Sequence, residues 1–144
     1  MISIDSALYQ NAGANIVQQL AYSLAHVNEY FNRIETISSP ITFEVAVGTN
    51  YFFEIAKIRA FKLVFNQFSK EFGKNEIPYI FVETSFRNKS KTDPENNLIR
   101  STLELSAAMI GGADAVYSND FRIENTTSLS EEISFKQQIV LASE

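Results

Sequence analysis

The sequence predicts an α/β fold built from four consecutive β-α units. Short apolar segments rich in β-branched residues alternate with longer helical patterns, and short polar turns join them. Repeated β-α units form a parallel sheet covered by helices, which leaves two architectures open: an open doubly wound sheet, or half of a TIM-type (β/α)8 barrel. The sequence contains neither G-x-G-x-x-G nor G-x-x-x-x-G-K-[ST], so a classical dinucleotide-binding fold is disfavoured.

The first unit begins with Ile2-Ser3-Ile4-Asp5, which alternates like a strand. Asn11-Ala12-Gly13 is predicted to turn the chain into a helix from about Ala14 to Asn32. Spacings of four, four, three and four place five apolar residues on one side of that helix: Ile16, Leu20, Leu24, Val27 and Phe31.

The second unit follows a break at Ser38-Ser39-Pro40. Its strand is predicted from Ile41 to Val47, and its turn at Gly48-Thr49-Asn50. A long helix then runs to about Phe72, where Gly73 ends it. One side of this helix is apolar and is interpreted as buried core, not as a ligand pocket: Ile58, Phe61, Phe65, Phe68 and Phe72.

The third unit has a strand from Tyr79 to Thr84, opened by Pro78, and then a polar, basic loop, Phe86 to Lys91. Asp93-Pro94-Glu95 has the residue types of a helix start, and the helix is predicted to reach about Ile110.

The fourth unit follows Gly111-Gly112, with a strand from Ala113 to Ser118. The capping-box spacing of Ser128-Leu129-Ser130-Glu131 starts a helix that continues to the end of the chain.

Composition excludes several classes of protein. The chain has no cysteine, which removes disulfide frameworks, thiolate metal sites and cysteine nucleophiles and is in keeping with a cytoplasmic location. A net charge of −5 disfavours nucleic-acid binding, and no apolar stretch is long enough to span a membrane. The single histidine, His26, lies off the apolar side of the first helix and is expected to be solvated. Both ends of the sequence are abrupt, so we expect residues 1–144 to be one domain taken from a longer chain.

Functional residues of either architecture belong at the carboxyl ends of the strands. Three acids there, Asp5, Glu83 and Asp120, could act as an acid–base pair, but helix capping and turn formation are the favoured interpretation. Lys57, Arg59 and Lys62 could hold an anion, although a solvated helix side is favoured. The polar candidates for a substrate-facing surface are Ser6, Asn50, Thr84 and Asn119.

Longer segments of the chain resemble a known family. "VGTNYFFEIAKIRAFKLVF" and "DPENNLIRSTLELSAAMIGGADAVYSNDF" are similar to the later half of the substrate-binding barrel of methylmalonyl-CoA mutase, and "SIDSALYQNAGANIVQQLAYSLAHVNEYF" is similar to the stretch just upstream. The resemblance implies four of eight barrel units, with the earlier half and the cobalamin-binding domain absent from this chain. It also implies that acyl-CoA passes along the barrel axis and that cobalamin, carried by a separate domain, lies at one end.

Several family positions carry other residues in this chain. Where the family has a histidine near the substrate thioester this chain has Leu8, and where it has a glutamate this chain has Asn11. Leucine cannot donate a hydrogen bond to a carbonyl, so that electrostatic assistance is lost. The family's substrate-contacting Arg-Leu-Ser falls on Pro40-Ile41-Thr42, and its Gly-Gly-Thr-Gln, which approaches the corrin, becomes Gly111-Gly112-Ala113-Asp114.

These exchanges imply a fragment of the non-catalytic small (beta-type) subunit, which would give structural support to a large mutase subunit. The whole enzyme would interconvert methylmalonyl-CoA and succinyl-CoA with adenosylcobalamin, while this fragment would hold no cofactor, no metal and no catalytic residue. The alternatives are a catalytically competent acyl-CoA mutase subunit and a small-molecule-binding α/β domain. A half barrel leaves two edge strands unpaired and an apolar inner face exposed, so we also expect self-association.

Overall fold

A computed structural model describes residues 2–34, 37 and 39–143. The strands and helices alternate along the chain, apart from one short additional helix after the first strand. The elements are β1 (Ile2–Asp5), α1 (Ala7–Asn11), α2 (Ile16–Arg33), β2 (Ile41–Val47), α3 (Tyr51–Glu71), β3 (Tyr79–Thr84), α4 (Asn96–Gly111), β4 (Ala115–Tyr117) and α5 (Ser128–Ser143).

The four strands form one parallel sheet in the order β1-β2-β3-β4. A doubly wound sheet reverses its strand order and carries helices on both faces. This sheet keeps the sequential order, and its core joins α2, α3 and α4 to one face. The predicted four β-α units are therefore confirmed, and the arrangement is compatible with a segment of an α/β barrel. In the described part of the chain β1 pairs only with β2, and β4 only with β3.

The core lies between the sheet and helices α2, α3 and α4. Alternate strand residues point into it because successive side chains of a strand face opposite sides. The apolar sides predicted for the two long helices meet these residues, and each fully buried phenylalanine contributes about 1.5–3 kcal/mol of hydrophobic free energy. The buried cluster includes Ile4, Phe43, Val45, Ile80 and Val82 from the strands and Val27, Phe31, Ile58, Phe61 and Phe65 from the helices.

The first connection differs from its prediction. Helix α1 occupies Ala7–Asn11, where only a turn at residues 11–13 was expected, because the Asp5 carboxylate accepts a hydrogen bond from Leu8 N and caps a short helix. The next helix begins at Ile16, two residues later than predicted. Its start is a reciprocal capping box in which Asn15 Oδ1 accepts from Gln18 N and Gln18 Oε1 accepts from Asn15 N.

The boundaries of α4 and β4 are also corrected. Helix α4 starts at Asn96 because Asn97 N donates to Pro94 O and Leu98 N to Glu95 O, which makes the preceding turn 3₁₀-like. Strand β4 is only three residues long, since Asn119 N bonds the Thr84 hydroxyl and so leaves the ladder.

Helix α5 begins as predicted at Ser128, but its cap lies one residue earlier. Thr127 and Ser130 exchange hydrogen bonds between their backbone N–H groups and hydroxyls, in place of the expected Ser128 and Glu131 pairing. Two earlier expectations, the break at Ser38 and the helix end at Glu144, lie outside the described residues.

Candidate functional site

One face of the sheet is not covered by helices α2 to α4, and we call it the open face. The register places its side chains in rows across the strands: Ser3, Thr42 and Tyr79 in one row, then Asp5, Glu44, Phe81 and Ala115, then Ala46, Glu83 and Tyr117. The inner face was expected to be apolar, and it is mixed instead. Three carboxylates share the surface with three aromatic rings, and the four strands contain no lysine, arginine or histidine.

The acids of the open face affect one another. Burial raises the pKa of Glu83, and the negative charges of Glu44 and Asp5 raise it further, while a hydrogen bond from Asn119 opposes the shift. Asn119 Nδ2 lies 3.2 Å from Glu83 Oε2 and 2.7 Å from Thr84 O. A surface with this charge repels anionic ligands and has no cation to compensate them.

Leu8 and Asn11 lie on α1, directly above the carboxyl end of β1. Leu8 is 59% exposed and presents only a hydrocarbon side chain. Asn11 Oδ1 accepts hydrogen bonds from Ser85 Oγ at 3.1 Å and from Phe86 N at 3.0 Å, so it ties α1 to the loop after β3. Asn11 therefore has a structural partner at the position where the family carries a glutamate.

The polar strand-end candidates are mostly engaged in structural contacts. Ser6 is buried, and its hydroxyl lies 2.6 Å from that of Ser23. Thr84 is fully buried, and its Oγ1 accepts from Asn119 N, so the structure brings Thr84 and Asn119 together. Asp120 accepts from Arg122 N and from the Ser130 hydroxyl and holds the start of α5. Of the four candidates, Asn50 is the exposed one, at the start of α3.

A buried polar network beside these candidates was not predicted. Lys57 Nζ donates to Ala46 O at 2.7 Å and to Gln19 Oε1 at 3.1 Å, and it lies 2.5 Å from Glu54 Oε2. Burial lowers the pKa of Lys57, and Glu54 opposes that shift. The expectation that Lys57 lies on a solvated side with Arg59 and Lys62 is therefore wrong for Lys57, because its side chain is buried against β2 and bonds to Ala46 O.

The sequence does contain signals that point to this network. Glu54 and Lys57 are three residues apart in the E-I-A-K segment, a spacing that places both on the same side of a helix. Gln19 is three residues after Ile16 and eight before Val27, so its amide lies beside the apolar side of the helix. Neither signal says that the pair is buried, since the same spacing is common on exposed helices.

A second buried network fastens the basic loop after β3 to α4. Lys89 Nζ lies 2.7 Å from Glu104 Oε2, and both side chains are fully buried. Burial lowers the pKa of Lys89 and raises that of Glu104, and the ion pair opposes both shifts. Asn97 holds the same loop through Ser90, and Arg100 donates to Asn88 O. Asn97 and Arg100 of the D-P-E-N-N-L-I-R segment thus hold this loop.

Two positions at which this chain differs from the family lie at the amino ends of the strands. Pro40 precedes β2 at its amino end, and Asp114 precedes β4. The Asp114 carboxylate accepts from Ile80 N at 2.8 Å and pairs with Lys62 at 3.0 Å. The acid at this position therefore closes the amino edge of the sheet. Asp114 therefore has structural partners at the position where a lost corrin contact was predicted.

The carboxyl ends of the strands also border a pocket of about 700 Å³, which we call the rim pocket. It lies where α2 and α3 begin, and Gln10, Gly48, Asn50, Phe53 and Arg87 are among its lining residues. Within residues 2–34, 37 and 39–143, no three His, Cys, Asp or Glu side chains are grouped so that they could hold a metal ion. None of the helices in these ranges has the length and hydropathy needed to cross a membrane.

Comparison with known proteins matches residues 1–144 to the family model described as methylmalonyl-CoA mutase. The chain is 33% identical over 156 positions to the methylmalonyl-CoA mutase of Cereibacter sphaeroides, covering 99% of this chain and 22% of that protein. It is 33% identical over 158 positions to the methylmalonyl-CoA mutase small subunit of Porphyromonas gingivalis, covering 100% and 26%. It is 30% identical over 157 positions to the mitochondrial methylmalonyl-CoA mutase of Homo sapiens, covering 99% and 21%. The chain thus spans about a fifth to a quarter of the length of these relatives.

Proposed function

Because this chain belongs to the methylmalonyl-CoA mutase family, we propose that it is part of a small, beta-type subunit that supports a catalytic large subunit without performing the rearrangement itself. The large subunit would interconvert methylmalonyl-CoA and succinyl-CoA, with adenosylcobalamin supplying the radical. In this proposal residues 1–144 form one half-barrel domain of a longer cytoplasmic protein, and the remaining barrel units lie outside this chain.

The chemistry of the open face and of Leu8 carries the proposal. Acyl-CoA substrates are polyanions, and methylmalonyl-CoA adds a carboxylate to the phosphates of the coenzyme. A barrel interior that includes Asp5, Glu44 and Glu83, with no basic residue on the same four strands, disfavours such a ligand electrostatically. Leu8, 59% exposed at the strand ends, offers no donor to a thioester carbonyl.

The residues described here do not fit a resident cobalamin. The single imidazole of the chain, His26, is engaged by Tyr9, whose hydroxyl oxygen lies 2.5 Å from His26 Nε2. Asn11 is occupied by the loop after β3, and Asp114, at the family's corrin-approaching segment, closes the opposite edge of the sheet. No step through cobalamin is therefore assigned to this chain, and the cofactor would belong to the large subunit.

A catalytically competent acyl-CoA mutase subunit is the second candidate. Identities of 33% and 30% to proteins named as whole mutases favour it, since they equal or approach the identity to the protein named as a small subunit. The two candidates differ in what the subunit does alone, and one experiment separates them.

The test uses the complete subunit, alone and mixed with a large subunit, and measures mutase turnover together with equilibrium binding of methylmalonyl-CoA and adenosylcobalamin. We expect the small subunit to form a complex with the large one, to have no turnover alone and to bind neither ligand alone. Turnover of any acyl-CoA by the unmodified small subunit with cobalamin would overturn the proposal and support the competent alternative.

A set of variants tests whether Leu8 and Asn11 are the residues that prevent acyl-CoA binding. The double exchange Leu8→His and Asn11→Glu restores both family residue types, and Leu8→Ala serves as the matched control that shortens the side chain without adding a donor. We expect neither variant to have turnover alone, because the acids of the open face remain. A gain of acyl-CoA binding in the double variant alone would show that Leu8 and Asn11, and not the acids, prevent binding, which would contradict the electrostatic part of the argument.

A further inference from the structure

The rim pocket is an open depression that the proposed support role does not use. Its volume of about 700 Å³ is that of a site for a small organic molecule. Ile16, Val17 and Phe53 form apolar walls, while Gln10 and Arg87 bring polar groups to it. Val17 and Phe53 are both largely exposed, so a bound molecule could cover them.

Gln10 presents a hydrogen-bond donor to this pocket. Only 8% of Gln10 is exposed, and its Oε1 accepts a hydrogen bond from Gln19 Nε2. The amide nitrogen, Nε2, has no hydrogen-bond partner among the described residues. It lies against Gly48, where a Cβ would come within 2.9 Å of it, so the glycine leaves the space that this amide occupies. This nitrogen is not one of the fully enclosed unpaired atoms, so it keeps contact with solvent and an acceptor on a ligand can reach it.

Further donors converge on the same space. The Arg87 guanidinium has one weak contact, 3.5 Å to Ala14 O, and forms no salt bridge with any described residue. Helix α3 starts at the pocket, and Asn50 gives it no side-chain cap within the described structure. Tyr51 N bonds to Thr49 O, so the N–H groups of Phe52 and Phe53 are the ones that remain available there.

The charge balance of the pocket favours an anion. Glu54 is the acid among the lining residues, and Lys57, 2.5 Å away, neutralises it. Arg87 then leaves a net positive charge, to which the amino end of the 21-residue helix α3 adds its partial charge.

We propose that the rim pocket binds a small organic anion, with its phosphate or carboxylate group at Gln10 Nε2 and Arg87 and its apolar part against Phe53, Ile16 and Val17. The anionic group accepts the hydrogen bonds that the protein leaves unmade, and the apolar walls select for an organic body over an inorganic ion. This site is independent of the support role, because it requires no catalytic residue and no partner subunit.

The experiment is isothermal titration of the full chain with four probes: phenyl phosphate, benzoate, inorganic phosphate and the neutral benzyl alcohol. We expect phenyl phosphate or benzoate to bind about tenfold more tightly than both inorganic phosphate and benzyl alcohol, a difference of about 1.4 kcal/mol. Stronger binding of phenyl phosphate identifies the preferred group as phosphate, and stronger binding of benzoate identifies it as carboxylate.

Substitutions test whether Gln10 and Arg87 form the binding site. Gln10→Glu keeps the acceptor for Gln19 but replaces the free donor with a carboxylate oxygen, and Arg87→Gln removes the cation; each should weaken the aromatic anion at least tenfold. Arg33→Gln is the matched control, because Arg33 is exposed at the far end of α2 and pairs with Glu29. Thermal unfolding of each variant without ligand shows whether a loss of binding is caused by a loss of folding. Failure of both aromatic anions to bind, equal binding of benzyl alcohol, or unchanged affinity in the well-folded Arg87→Gln protein would overturn the proposal.

Discussion

Asp5 and Glu44 lie directly opposite each other across the β1–β2 ladder, both on the open face of the sheet. Directly paired strand residues have close β-carbons, so the two carboxylates repel each other. Each also has a backbone role, since Asp5 caps α1 through Leu8 N and Glu44 O accepts from Ser6 N. The repulsion therefore sits at the point where the first strand turns into the first helix.

Replacing Glu44 with glutamine should stabilise the protein. We expect Glu44→Gln to raise the free energy of unfolding at pH 7 by about 0.5 kcal/mol, because it removes one of two opposed charges. Urea unfolding at low and high salt measures the gain, which should shrink as salt screens the charges.

A double-mutant cycle with Asp5→Asn checks the origin of this gain. Asparagine keeps the oxygen that caps α1, so the variant removes the charge alone. An equal gain from Glu44→Gln in the wild-type and Asp5→Asn backgrounds would show that the pair does not interact.

Glu83 gives the open face a defined pH dependence. Its raised pKa means that the folded state holds the proton more tightly than the unfolded chain does, so the folded protein loses stability as pH rises from the ordinary glutamate pKa through the raised value. Glu83→Gln removes this loss. We expect the variant to match the wild type below about pH 4 and to exceed it in free energy of unfolding by less than about 1 kcal/mol at neutral pH, since Glu83 is only half-buried.

Chemical unfolding across the pH range measures this difference. The difference between the two curves reports Glu83, whose pKa burial raises in the folded state. A Glu83→Gln curve that runs parallel to the wild type at all pH values would contradict the assignment.

The strands β2 and β3 are predictable because their signals are local. Gly48 and Pro78 mark their ends, and runs of β-branched and aromatic residues fill both. The start of α4 is less predictable, because Asp93-Pro94-Glu95 has the composition of a helix start but forms a 3₁₀-like turn first. The cap of α5 was misplaced for a similar reason, since two hydroxyl residues compete for that role within one turn.

The site was less accessible to sequence reasoning than the fold. Ser6 and Thr84 have suitable side chains at suitable strand ends, yet each is buried by a neighbour that is distant in sequence, Ser23 and Asn119 respectively. Lys57 is indistinguishable in sequence from the exposed cations beside it. Burial of these groups depends on contacts between elements that are distant in sequence, which no local pattern encodes.

The buried pair of Lys89 and Glu104 should be sensitive to loss of one partner. We expect Lys89→Met to lower the free energy of unfolding by about 3–5 kcal/mol, because it leaves a buried carboxylate without its cation. Lys91→Met is the matched control two residues away, where the pair with Glu124 is exposed and a change within about 0.5 kcal/mol is expected.

A second exchange identifies the cause of that loss. Adding Glu104→Gln to Lys89→Met removes the uncompensated charge and keeps an oxygen for Asn88, so part of the stability should return. Urea midpoints of the four proteins provide the measurement. Equal losses from Lys89→Met and Lys91→Met would contradict the importance of burial.

Asn97 is the centre of the hydrogen bonds that hold the loop after β3. Its Nδ2 donates to Ser90 O and Phe121 O, both at 2.8 Å, and the residue is fully buried. Asn97→Asp keeps the shape but replaces this donor with a carboxylate oxygen, so two carbonyls lose their partner and we expect a loss of about 2–5 kcal/mol. The loss should decrease as pH falls, because a protonated carboxyl can donate one hydrogen bond.

The neighbouring exchange Asn96→Asp is the control for this prediction. Asn96 is exposed in the first turn of α4, which favours an acid, and its amide donates to the exposed Asp93 carboxylate. The exchange replaces that bond with repulsion between two exposed carboxylates, which is weak in water. Thermal unfolding at pH 5 and pH 8 compares the two variants. A larger effect at position 96 than at position 97 would show that the loop does not depend on the buried amide.

The open face and the two edge strands should make the 144-residue chain self-associate. Strands β1 and β4 each have one side of the ladder without a partner in the described structure, and Tyr79 and Tyr117 expose aromatic surface between them. The carboxylates Asp5, Glu44 and Glu83 oppose contact between two such faces, so association should increase at lower pH, at higher salt and in a Glu44→Gln, Glu83→Gln double variant. Light scattering at micromolar concentrations, with an apolar dye as a second probe, measures both effects. A monomer that binds no dye under all these conditions would show that the sheet needs no partner to cover it.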